Sequence, residues 1–116
     1  PQAADAGLSG VDLAGFRLSL SGTAPPAGTA RPLAALWHCA RGDWDAAHKL
    51  VQADEGEPAH DWVHAHLHRV EGDLSNAGYW YRSAGRPPAR GSLEAEWAEI
   101  ATALLARHGT GQGKRG

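Results

Sequence analysis

Cysteine, methionine and charge of one sign are what this chain has least of. One cysteine, Cys39, occurs in 116 residues, so no internal disulfide can form and no Cys pair has zinc-ribbon spacing. A reducing, cytoplasmic setting is expected. Acidic and basic side chains nearly cancel, 13 against 11, for a net charge of -2. Nucleic-acid binders carry a basic excess to neutralise phosphates, and the one basic run here, GQGKRG, is short, so no nucleic-acid partner is expected. No apolar run approaches the roughly 18 to 20 residues of a membrane span. The start, PQAADAGLSG, has neither the basic region nor the apolar block of a secretory signal, and no membrane association is expected. Methionine is absent and the first residue is Pro1, a combination that leaves room for a trimmed leader. No segment sustains the two-residue alternation of a strand. The G-x-S-x-G elbow, the phosphate loop and the G-x-G-x-x-G turn are missing as well.

What is present reads as one globular domain. The length suits a single core, and 42% hydrophobic residues with balanced charge are globular rather than disordered. The expected division is a short N-terminal helix over 8–20, a Pro/Gly/Thr-rich linker over 21–31, a helical body over 32–108 and a flexible tail over 109–116. Leu13, Phe16 and Leu20 form the stripe of the first helix. In the body, Pro32 opens a helix that puts Leu33, Leu36, Trp37 and Ala40 on one face and ends at Gly42. Asp43 caps the next, with Trp44, Ala47, Leu50 and Val51 inward. A third helix, about Ala59 to Glu71, buries Val63, Leu67 and Val70. Asp73 caps a fourth with Ala77, Trp80, Tyr81 and Ala84 inward. Ser92 caps the last, whose stripe is Leu93, Trp97, Ile100 and Leu104.

Two of these turns repeat. ARGDWDAAH at Ala40 to His48 aligns with VEGDLSNAG at Val70 to Gly78, an offset of 30 residues. In each, glycine ends one helix, aspartate caps the next, and a small alanine lets the pair approach. This resembles the tetratricopeptide and Sel1-like helical-hairpin class, whose turns carry a similar GD-aromatic-xx-A pattern followed by a proline, near which Pro58 and Pro87 stand. The offset is shorter than that class's ~34-residue period. The string VHAHLHRVEGDLSNAGYWYRSAG also resembles a family of small bacterial proteins of unassigned function, a resemblance that implies no activity. The fold expected is all-α: two stacked antiparallel helix hairpins, tetratricopeptide-like, with flanking N- and C-terminal helices.

Chemistry concentrates in the third helix. At about 100° per residue, His64, His68 and Glu71 share one flank, with His60 leading into it, while His66 points the other way. His64 and His68 are one turn apart, the spacing by which a helix offers two ligands to one metal. His60 stands too far along the axis to join both. A third ligand must come from another helix: His48 is the best donor and Glu96 the next. The metal set is therefore His64, His68, Glu71 and His48, with a divalent metal such as zinc as the cofactor it would take. The structural alternative makes these histidines polar groups at helix boundaries, bonded to carboxylates such as Glu71 or to tyrosine hydroxyls. Downstream, Tyr79 falls outward with Asn76 and Arg82, where an arginine fork could hold an anionic group.

Two functions fit. One is a non-catalytic binding module that presents a groove lined by His64, His68, Glu71, Asn76, Tyr79 and Arg82 to a peptide or protein partner. The other is a metal-dependent or acid/base enzyme acting on a small substrate through His64, His68 and Glu71. Cys39 beside His38 is no dyad, since adjacent helical positions diverge. The five tryptophans, one per body helix, read as core cement.

Overall fold

A computed structural model describes residues 11–114, with side chains over 11–107. Six helices follow in order: α1 (Leu13–Ser19), α2 (Arg31–Ala40), α3 (Trp44–Gln52), α4 (Pro58–Val70), α5 (Leu74–Ala84) and α6 (Leu93–Lys114). No strand occurs among the described residues, and no described helix is long and apolar enough to cross a membrane. Residues 8–10, expected to begin the first helix, lie outside the described residues. Helical backbone in α6 runs to Lys114, into the segment expected as a tail.

The repeated turns are built alike. At the end of α2 the Asp43 amide donates to the His38 carbonyl at 2.9 Å, and Gly42 takes φ +84. At the end of α4 the Asp73 amide donates to the His68 carbonyl at 2.9 Å, and Gly72 takes φ +88. Each is a glycine-terminated helix end whose last carbonyls are satisfied by the turn itself. The aspartates then cap the following helices, Asp43 accepting from Ala46 N at 3.1 Å and Asp73 from Asn76 N at 3.2 Å. Ser92 accepts from Ala95 N at 3.0 Å. The cap of α4 is Glu57, which accepts from His60 N at 2.8 Å, with Pro58 opening the helix.

α2 pairs with α3 and α4 with α5, and the hairpins stack through α3 against α4. Ala47 and Ala77, the small residues of the repeat, are both buried. α6 lies across α2 and α4, the first helices of the two hairpins, and α1 is fixed to α6. Phe16 stacks on Trp97 at 5.9 Å between ring centroids, and the Trp97 indole donates to the Leu36 carbonyl at 2.8 Å. Trp37 reaches Ser19 at 3.1 Å.

Helix α4 departs most from the expected one-sided stripe. It is covered by α2, α3, α5 and α6, so every residue from Ala59 to His68 is buried while Val70, expected in the core, is 38% exposed. Leu93 and Ala40 are exposed too, each at the end of its helix. Trp80 is half-buried rather than core. The repeat positions Trp44 and Leu74 differ for a topological reason: α4 packs over the first, whereas α5 packs its backbone against α4 alone, and Leu74 is left 67% exposed.

A side chain added at Gly72 would meet nothing within 4 Å, so Gly72→Ala isolates the cost of its backbone. Chemical denaturation should show a loss of about 1 to 2 kcal/mol, the penalty for a left-handed non-glycine residue. An unchanged midpoint would contradict this account of the turn.

Candidate functional site

Among the described residues six polar or charged side chains are buried: His60, Asp61, His64, His66, His68 and Glu96. A buried polar group without a partner costs about 1 to 3 kcal/mol, so each has to be accounted for. The imidazole of His60 meets Glu57 at 2.5 Å and accepts from Arg31 Nε at 3.3 Å. Asp61 accepts from Gly56 N at 3.1 Å and Ser83 Oγ at 2.5 Å.

His66 and Glu96 form a closed network that sequence reasoning missed. His66 Nδ1 lies 2.7 Å from Glu96 Oε1, Arg69 Nη1 donates to the same oxygen at 3.1 Å, and the Tyr81 hydroxyl donates to Oε2. Burial works to raise the Glu96 pKa, but the bonds from His66, Tyr81 and Arg69 outweigh it and hold the carboxyl below its usual range. Burial, with the Glu96 contact, pushes the Tyr81 phenol up. Glu96, the second-choice metal donor by sequence, is thus committed on the opposite side of α4. His66 does point away from the other histidines, as the helical geometry required.

The other flank gathers His48, His64 and His68. One ligand-capable atom from each lies within 4.8 Å of the others, joining α3 to α4. His48 Nε2 and His64 Nε2 are 3.1 Å apart. His68 Nδ1 meets Glu71 Oε2 at 2.7 Å, which leaves its Nε2 uncommitted. Glu71 therefore belongs to His68's outer side rather than to the cluster of three. Two indoles wall the group: Trp80 lies flat on His64, with centroids 3.9 Å apart and planes at 13°, and Trp44 lies on His48 at 4.6 Å and 15°. The Trp44 Nε1–H donates to the Leu67 carbonyl at 2.7 Å, fixing α3 against α4 one turn before His48. Neither indole was read from the sequence as part of a site; the i, i+4 spacing of Trp44 and His48 was the signal available.

The hydrogen bonds do not close here. Between two imidazole nitrogens 3.1 Å apart one proton fits, and in either tautomer His64 Nδ1 is buried with no partner among the described residues. Among the described residues it is the one buried side-chain nitrogen or oxygen of which this is true. Burial first, then the neighbouring His48 and His68, lowers the His64 pKa from 6.5 to about 3. Burial and His68 also lower that of His48, against the raising effect of Glu71, Glu55 and Asp45.

The remaining expected residues do not converge on this cluster. Tyr79 is 55% exposed and its ring meets Trp80 edge-on at 4.8 Å. Arg82 is exposed, with Nη1 folded back over Gly78. Asn76 contributes its amide to the α5 cap. None of the three bonds to a histidine of the cluster. Burial pushes the Cys39 thiol up to about 11, which makes it unreactive at neutral pH. The chain matches no family model, and no curated protein or solved structure is detectably similar to it.

The depressed His64 pKa fixes the sign of a pH effect in metal-free protein. Below pH 6.5 the unfolded chain takes a proton at His64 that the folded protein refuses until about pH 3, so this contribution is complete above 6.5 and falls as the pH drops through that window. Thermal melting should decline between pH 6.5 and 4.5, before the carboxylates titrate. The decline should be shallower in His64→Phe, which keeps a flat ring beneath Trp80. Parallel profiles for the two proteins would count against it.

Proposed function

We propose that the protein binds one divalent transition metal ion, of the zinc class, through His48, His64 and His68, with Glu71 orienting His68. The observation that carries this reading is the convergence of three imidazoles from two helices at ligand spacing. Around a tetrahedral metal with nitrogen ligands near 2.0 to 2.1 Å, neighbouring nitrogens stand about 3.3 Å apart. The 3.1 Å between His48 and His64 is close to that value. Metal binding would use both Nε2 lone pairs in place of the single hydrogen bond between them.

Two further features favour it. Metal-ligating histidines commonly give their second nitrogen to a carboxylate, which fixes the tautomer and raises ligand basicity, and Glu71 stands in that relation to His68. Histidine must be neutral to ligate, and the lowered pKa of His64 and His48 keeps both rings so. A peptide groove lined by Asn76, Tyr79 and Arg82 has the exposure of Tyr79 and Arg82 in its favour and no convergence of polar groups. The metal reading is therefore preferred.

Untagged protein purified without nickel and stripped with chelator should take up one equivalent of zinc in a competition titration. His64→Ala should abolish uptake while retaining the helical circular-dichroism spectrum. Glu71→Ala should weaken affinity roughly 10- to 100-fold, as loss of an outer carboxylate does. Because Trp44 and Trp80 lie against two of the ligands, stoichiometric copper(II) should quench tryptophan emission in the parent protein and not in His64→Ala. Sub-stoichiometric uptake, or equal uptake by His64→Ala, would sink the reading.

A further inference from the structure

Resting on the metal reading, we infer that the centre has an open coordination position, filled by an exchangeable water and available to small uncharged or singly charged ligands. Among the described residues, three protein donors are all that converge. Glu71 and Asp73 group with His68 but not with His48 and His64, and Glu71 is already bonded to His68 Nδ1. Glu96 is held by His66, Arg69 and Tyr81 on the other side of α4. The walls supplied by Trp44 and Trp80 are flat carbon faces with no lone pair to offer a metal. Zinc-class ions take at least four ligands, and three protein donors plus water is the pattern of catalytic rather than structural sites.

Solvent reaches this position from one side. His64 and His68 are buried, whereas His48 is half-exposed, so the approach runs past the His48 edge of the cluster. The carboxylates that act on His48 are those of Glu71, Glu55 and Asp45. They favour entry of the cation and disfavour multiply charged anions such as phosphate. A small neutral or singly charged oxygen or nitrogen donor is the ligand class that remains. The ion would lower the pKa of its water toward 7, the property on which hydration and hydrolysis depend. A closed site would instead act only as a clamp between the hairpins.

Cobalt(II) substitution tests this, because its visible bands report coordination. Stripped protein loaded with one equivalent of cobalt(II) should give a four-coordinate spectrum. Azide should then shift and intensify those bands to saturation, and Glu71→Gln, given enough cobalt(II) to offset its weaker affinity, should also respond. A cobalt(II) spectrum that azide leaves unchanged would overturn the open position while leaving the metal site standing. So would a response that appears only in Glu71→Gln, since Glu71 would then be the fourth ligand in the parent protein. Absence of both cobalt(II) bands and zinc uptake removes the metal reading and this inference together.

Discussion

The contact of α3 with α4 is the joint on which the rest of the molecule turns. The Trp44 indole donates across it to the Leu67 carbonyl at 2.7 Å, in the last turn of α4. Ala47, fully buried, allows the helices to approach. That approach sets how the hairpins stack, and it carries His48 to His64 and His68. The same tryptophan is anchor and wall, since its ring lies on His48 while its nitrogen holds the neighbouring helix. Three of the five tryptophans work this way: Trp37 reaches Ser19, Trp44 reaches Leu67 and Trp97 reaches Leu36. A small domain with limited core thus uses its largest side chains as directional ties between elements as well as apolar filling.

Central burial of α4 sets the second constraint. Desolvating a carboxylate costs several kcal/mol unless hydrogen bonds offset it, and Glu96 meets that cost by accepting from His66, Arg69 and Tyr81. One residue therefore ties α6 to both helices of the second hairpin. Asp61 does the same on a smaller scale, joining the loop at Gly56 to Ser83 of α5. Against this background of satisfied groups the His64 nitrogen stands out. Native proteins leave few buried polar atoms unpaired, and those that remain call for a reason beyond packing.

Helices and turns were legible because their signals are local. Asp43, Asp73 and Ser92 cap through bonds three residues long, and Gly42 and Gly72 adopt positive φ as helix-ending glycines do. Long-range burial was less legible. Val70 belongs to the apolar periodicity of α4 yet is exposed, while His60, Asp61 and His66 fall on polar positions and are buried. A helix covered on most sides has no single inward face, so periodicity loses its meaning there. That His64 and His68 share a flank followed from their spacing, and His48 is the imidazole from another helix that the fold brings up to them. The indole walls and the Glu96 network depend on how hairpins stack and where α6 returns, which no local pattern records. Glu71 lies beside His68, as helical angles require, but those angles do not say which nitrogen the carboxylate meets; it meets Nδ1.

The repeat also explains why there is one such cluster and not two. With the offset of 30 residues, His38 corresponds to His68, while Ala34 corresponds to His64 and Gly78 to His48. The first hairpin therefore has one histidine where the second has two, and α5 has glycine where α3 presents an imidazole. Geometry sharpens the asymmetry. His48 faces another hairpin because α4 follows α3 in the stack, whereas α6 turns back across α2 and α4 and supplies no corresponding helix beyond α5. A donor at position 78 would have nothing opposite it. The cluster belongs to the junction between hairpins rather than to either hairpin alone, so a chemistry borne by its three histidines depends on the two hairpins remaining stacked.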